Sequence, residues 1–90
     1  MVKKSFRVTN ETGIHAKPAT MLVNLTMKYD CDIKLTAFKK TVDFKSIMGV
    51  MSLGIYSGTT IEISCDGSDE SDAIEAIKAK LIELEIGREI

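Results

Sequence analysis

Ninety residues, 44% hydrophobic and 28% charged, describe one ordinary globular domain over 1–90, with no room for a separate cofactor domain or a deep cleft. The net charge of −1 divides unevenly: residues 1–65 carry nine basic and five acidic side chains, 66–90 three and eight. A basic half this mild excludes a nucleic-acid footprint but can steer a phosphate or an acidic partner, and the absence of any apolar run near the roughly 20 residues of a membrane span excludes membrane insertion.

Val2, Phe6 and Val8 alternate with Lys3, Ser5 and Arg7, which predicts a half-buried strand. Because that pattern starts at once, no signal peptide is expected and the chain reads as soluble and cytoplasmic. Asn10-Glu11-Thr12-Gly13 ends the strand, and a helix is predicted from about Ala16 to Tyr29. Pro18 suits its first turn, where a missing N–H costs nothing. Ala19, Leu22, Val23, Thr26 and Tyr29 form its core stripe, leaving Lys17, Met21, Asn24 and Lys28 outward.

Ile33, Leu35 and Ala37, then Val42 and Phe44, alternate as a hairpin. Its turn, Phe38-Lys39-Lys40, lacks the Gly or Asn that positive φ prefers, so strain or loosening is expected there. Ser46 through Leu53 reads as a short helix, with Ser46 as N-cap and Gly54 as its stop. Ile61, Ile63 and Cys65 alternate as a further strand. The run Gly67 to Asp72 opens a last helix with acidic residues at its positive end, Ile74, Ile77, Leu81 and Leu84 give it an apolar seam, and Gly87 is expected to end it. The order β-α-β-β-α-β-α predicts an α+β fold, an antiparallel sheet covered on one face by helices.

His15 is the single histidine, and it stands just before a helix start. Amides without partners and a positive macrodipole suit that end to an anion. An imidazole is partly neutral near pH 7, and a neutral ring nitrogen can attack a phosphoryl donor. The product would lie against the first-turn amides, those of Ala16 and Lys17, with the Lys17 ammonium balancing charge. No P-loop, metal-ligand cluster, cofactor motif or second general base accompanies it, so the chain is equipped to accept a phosphoryl group rather than to make or hydrolyse one. Cys31 and Cys65 are expected to stay thiols, Cys65 in the core and Cys31 in a polar, exposed turn.

On the short helix Ile47, Met48 and Met51 share one face, and Val50 and Leu53 another. Only one face can be buried on a sheet, which leaves the methionine face outward as an adaptable docking patch. A phosphate on Ser46 would sit at a helix N-terminus beside Lys45, adding charge without unfolding the domain. From these residues alone, a small binding module with an incidental histidine stays open beside a carrier.

Two stretches, Gly13-Ile14-His15-Ala16-Lys17-Pro18-Ala19-Thr20 and Lys45-Ser46-Ile47-Met48-Gly49-Val50-Met51-Ser52-Leu53-Gly54, carry a resemblance over essentially the whole chain to the histidine-containing phosphocarrier (HPr) family of the bacterial sugar phosphotransferase system. The resemblance implies an open-faced β-sandwich, its four-stranded antiparallel sheet ordered 1-4-2-3. It implies that His15 accepts, on Nδ1, a phosphoryl group from enzyme I, itself charged by phosphoenolpyruvate, and passes it to IIA domains of sugar permeases. The protein would thus be a carrier and not an enzyme, acting as a monomer without a cofactor or metal. Ser46 matches the regulatory site phosphorylated by HPr kinase/phosphorylase, whose product is the corepressor of catabolite control protein A. Thr20, Met21 and Asn24, with Ile47, Met48 and Met51, match the partner interface. A regulatory paralogue of the same family is the alternative. The chain departs from the family pattern at Lys17, where the family has arginine, and at Lys39, where a turn glycine is common.

Overall fold

Period-two alternation becomes sheet, with Phe44 alone falling just past the end of its strand. In the computed structural model, which describes residues 1–90, the elements are β1 (Val2–Val8), α1 (Ala16–Thr26), β2 (Asp32–Ala37), β3 (Lys40–Asp43), α2 (Ile47–Ser52), β4 (Thr60–Asp66), α3 (Glu70–Glu83) and β5 (Gly87–Glu89). All pairings are antiparallel, in the order β3-β2-β4-β1-β5. The 1-4-2-3 order is present, and the sheet has five strands rather than four.

Phe6 and Val8, Ile33, Leu35 and Ala37, and Ile61, Ile63 and Cys65 point to one side and are buried. Lys3, Arg7 and Lys34 on the other side are exposed. Against the apolar side lie Ala19, Leu22, Val23 and Thr26 of α1 and Ala73, Ile74, Ile77 and Leu81 of α3, closing one core of 22 buried apolar side chains. Each large one contributes roughly 1.5–3 kcal/mol relative to exposure.

Helix α1 stops three residues earlier than the apolar stripe predicts. The Thr26 hydroxyl donates to the carbonyls of Val23 and Phe44 (2.8 and 3.1 Å), and the next amides, those of Lys28 and Tyr29, reach back only three residues, to Leu25 and Thr26. Tyr29 lies in this tightened turn, half-buried against the core.

The C-terminal end of α3 accounts for the fifth strand. Glu85 takes φ +55, its amide donates to Ile82, and the Ile86 amide donates to Leu81 (3.0 and 2.9 Å). This is a Schellman closure made without glycine, with buried Ile86 supplying its apolar contact. Gly87 is therefore not the helix stop. It opens β5, where a Cβ would lie 2.4 Å from the Arg7 carbonyl oxygen, so only glycine lets the chain come close enough to pair with β1.

Two further sequence expectations are revised. Cys31 is buried (2% exposed), and both thiols are free. Gly67 packs on it so closely that a Cβ there would meet the Cys31 Cβ at 2.7 Å. Burial and the neighbouring Asp69 carboxylate push the Cys31 thiol up to about 12. Asp69 does more than place charge at the positive start of the last helix. Its two oxygens accept the amides of Asp30 and Cys31 (2.8 and 3.0 Å), clamping the α1–β2 turn to the start of α3. Those bonds hold its carboxyl below the usual aspartate range.

Candidate functional site

Strand β1 delivers the chain to a turn that is fastened on three sides. The Val8 amide donates to the Thr59 carbonyl and the Gly58 amide to the Val8 carbonyl (2.9 and 2.8 Å), while the Ile14 amide donates to the Ile55 carbonyl (3.1 Å). Asn10 Nδ2 ties the turn internally, donating to the Gly13 carbonyl at 2.9 Å. Gly13 is buried at φ +67, and a Cβ there would meet the Ile55 oxygen at 2.3 Å and the Tyr56 Cα at 2.7 Å. The residue next but one to His15 thus has no room for a side chain, and the position of His15 follows from that close approach.

His15 is the N-cap residue of α1, with extended backbone (φ −121°, ψ −159°) and no hydrogen bond from its side chain to the helix. Its carbonyl accepts the Ala19 amide at 2.9 Å. The imidazole is exposed, and the helix leaves the Ala16 and Lys17 amides without intrahelical acceptors. Pro18, at the third helical position, has no amide to orphan. The result is a solvent-facing ring nitrogen at the positive end of an 11-residue helix, beside two amides and the exposed Lys17 side chain. Such an arrangement can receive a phosphoryl group and hold its charge.

One turn further along α1, Thr20 is exposed and returns its hydroxyl hydrogen to the Ala16 carbonyl (2.8 Å). Met21 and Asn24 are exposed on the same helix. Helix α2 packs against α1. Val50 and Leu53 are buried beneath it, whereas Ile47, Met48 and Met51 face solvent, Met48 being 83% exposed. The structure thus places three apolar side chains outward on α2, as the helical spacing predicts.

Ser46 caps α2 directly, its Oγ accepting the Gly49 amide at 3.0 Å. Lys45 does not serve as a free cation beside it. Its ammonium donates to the Tyr29 carbonyl (2.7 Å) and its amide to Asp43 Oδ1 (2.9 Å), so it ties the entrance of α2 to the end of α1.

The hairpin turn is tight rather than loosened. Ala37 pairs with Lys40, and Phe38 and Lys39 both take positive φ (53° and 64°) without glycine or asparagine. Phe38 stacks on Tyr56, ring centroids 5.5 Å apart and 14° from parallel. Periodicity gave no sign of this pair, nor of the Asn10 tie, although an Asn shortly before a turn Gly is a common local signal. No group of three or more His, Cys, Asp or Glu side chains is placed to hold a metal ion. No helix is long and apolar enough to cross a membrane.

A family model described as the PTS HPr component phosphorylation site matches residues 2–83. Among solved structures, the histidine-containing phosphocarrier protein of Mycoplasma is 39% identical with a TM-score of 0.92, over 94% of this chain and 97% of that one. The phosphocarrier protein HPr of Bacillus anthracis is 40% identical (TM-score 0.82, 88% and 94% covered). Crh, a catabolite repression protein of Bacillus subtilis described as an intertwined, swapped dimer, is 36% identical (TM-score 0.72, 86% and 88% covered).

Proposed function

The chain belongs to the HPr family of phosphotransferase-system phosphocarriers, proteins that carry a phosphoryl group rather than catalyse a reaction, and from that premise we propose that His15 is the residue that carries it. The observation that supports this reading is the exposed His15 ring at the start of α1, beside the free amides of Ala16 and Lys17. A neutral Nδ1 attacks the phosphorus of phospho-enzyme I, the new P–N bond forming as the bond to the donor breaks. The Ala16 and Lys17 amides and the Lys17 ammonium stabilise the charge on the transferring group. Reversal of the same step onto a IIA domain of a sugar permease completes the relay.

Thr20, Met21 and Asn24 on α1, with Ile47, Met48 and Met51 on α2, form the docking face in this reading. Apolar side chains held outward at the rim of a reactive group suit a surface that several partners must share. Ser46 is its charge switch, modified by HPr kinase/phosphorylase and then read by catabolite control protein A. A phosphoryl group on its Oγ stays at the positive start of α2, where its oxygens still accept amides.

We read the carrier as a monomer working in the cytoplasm. In this chain β5 covers the outer edge of β1, so β1 offers no open edge for a second copy to pair with, which supports the monomeric reading.

Incubation with enzyme I and phosphoenolpyruvate tests the proposal. An acid-labile, base-stable phosphate on the wild-type chain, absent from His15→Ala, supports the carrier. An unlabelled wild type would instead support a regulatory paralogue or a binding module using the α2 patch. The serine kinase with ATP should label Ser46 and leave Ser46→Ala unlabelled.

A further inference from the structure

Of the five aromatic side chains, Phe6 and Phe44 are buried, Tyr29 is half-buried, and only Phe38 and Tyr56 are exposed, at 48% and 59%. These two stack on each other although they come from separate loops. Phe38 is presented by a turn at positive φ, a conformation that glycine would hold with less strain. Tyr56 directly follows Ile55, whose carbonyl accepts the Ile14 amide one residue before His15. The register puts the two loops at one end of the sheet. Arg7 at the end of β1 faces Thr60 at the start of β4, and Thr36 near the end of β2 faces Glu62.

We infer that Phe38 and Tyr56 form a second docking surface for the protein that delivers the phosphoryl group to His15, an inference that rests on reading His15 as the acceptor. A specific protein interface takes roughly 800 Å² from each partner, about one sixth of the 5034 Å² surface of this molecule. Two of its three extents are only 23 Å. A footprint of that size centred on His15 reaches the loop bonded to Ile14, and exposed, mutually braced aromatic rings are effective anchors in such footprints.

Charge selects the donor as occupant. The strand ends and loops at this end, residues 7–20, 36–41 and 54–62, hold the cations Arg7, Lys17, Lys39 and Lys40 against the carboxylates Glu11 and Glu62. That excess of positive charge complements a partner arriving with a phosphoryl dianion while His15 is unmodified, and it is partly offset once His15 carries the group.

Three variants test this: Phe38→Gly, Tyr56→Ala and the double substitution. With enzyme I and phosphoenolpyruvate, KM for the carrier should rise about fivefold for each and more for the double, with kcat little changed. Phosphorylation of His15 by phosphoramidate, a small donor with no surface to dock, should stay at the wild-type rate. Phe38→Gly should melt within a few degrees of the wild-type temperature, since relief of the left-handed turn offsets the lost ring stacking, so that a loss of docking is not a loss of fold. Wild-type KM for the double variant overturns the inference, as does an equal loss with phosphoramidate, which would mean that the pair only shapes the His15 turn. Loss of a dimer in sedimentation with KM unchanged would assign the surface to a second copy and overturn it as well. An unlabelled wild-type chain would remove the carrier reading itself, an outcome distinct from labelling at unchanged KM.

Discussion

Replacing Ser46 separates its two proposed roles, because alanine and aspartate remove different things. In Ser46→Ala the Gly49 amide loses its 3.0 Å acceptor, and loss of an N-cap costs about 1 kcal/mol, within a range of roughly 0.5–2. Unfolding entropy near 2.1 cal/mol/K per residue gives about 0.19 kcal/mol/K for a 90-residue chain. Ser46→Ala should therefore melt about 5 °C below wild type while accepting phosphate from enzyme I at close to the wild-type rate. Aspartate caps as well as serine and suits the positive end of α2, so Ser46→Asp should melt within about 2 °C of wild type. Its new charge borders the patch formed by Ile47, Met48 and Met51. A like charge met across about 4 Å of water costs on the order of 1 kcal/mol, or about fivefold in kcat/KM. Differential scanning calorimetry and steady-state phosphorylation on the three proteins give the answer. If Ser46→Asp loses as much stability as Ser46→Ala, or accepts phosphate as fast as wild type, the reasoning fails.

Gly13→Ala should cost at least about 3 kcal/mol, since the left-handed φ alone costs an alanine roughly 1–2 kcal/mol and its Cβ would also have to displace the Ile55 carbonyl; a urea midpoint close to wild type would refute the close approach. Lys17→Arg should raise kcat/KM with enzyme I by about threefold, because the guanidinium fork holds a phosphoryl group in two hydrogen bonds where an ammonium acts as a point charge; equal or slower transfer argues against a phosphate contact at this position. Asp69 is held below its ordinary range by the amides of Asp30 and Cys31, so its contribution is complete above about pH 4 and is lost as pH falls through the lowered folded-state value. Urea midpoints between pH 7 and pH 2 should accordingly decline less steeply for Asp69→Asn than for wild type, and parallel declines would contradict the clamp.

What could be read from the chain was local. The coincidence of His15 with a helix start, the cap at Ser46 and the outward face of α2 all depend on residues within one or two turns of each other, and the structure places each of them as spacing predicts. What could not be read depends on partners far along the chain. Gly87 looks like a helix stop because glycine commonly is one, yet Glu85 takes that conformation and frees Gly87 to approach β1. Cys31 stands in a polar stretch, and only Gly67 and Asp69 show that it is buried. Tyr56 and Phe38 carry no periodic signal, and their stacking follows from strand register.

The turn at His15 also has a consequence for how the molecule is made. The hairpin of β2 and β3 joins neighbours in the sequence, but β1 finds its partners only in β4 and β5, and topologies rich in such long-range pairings fold slowly as a class. The fastenings of the turn, from Val8 to Thr59 and from Ile14 to Ile55, span the same long range. A chain in which β1 has not paired lacks the frame that orients His15, so on the proposed reading the capacity to accept a phosphoryl group depends on the whole fold. Substitutions far from His15 that destabilise the sheet would then lower the amount of competent protein through the same equilibrium that proteases and chaperones sample.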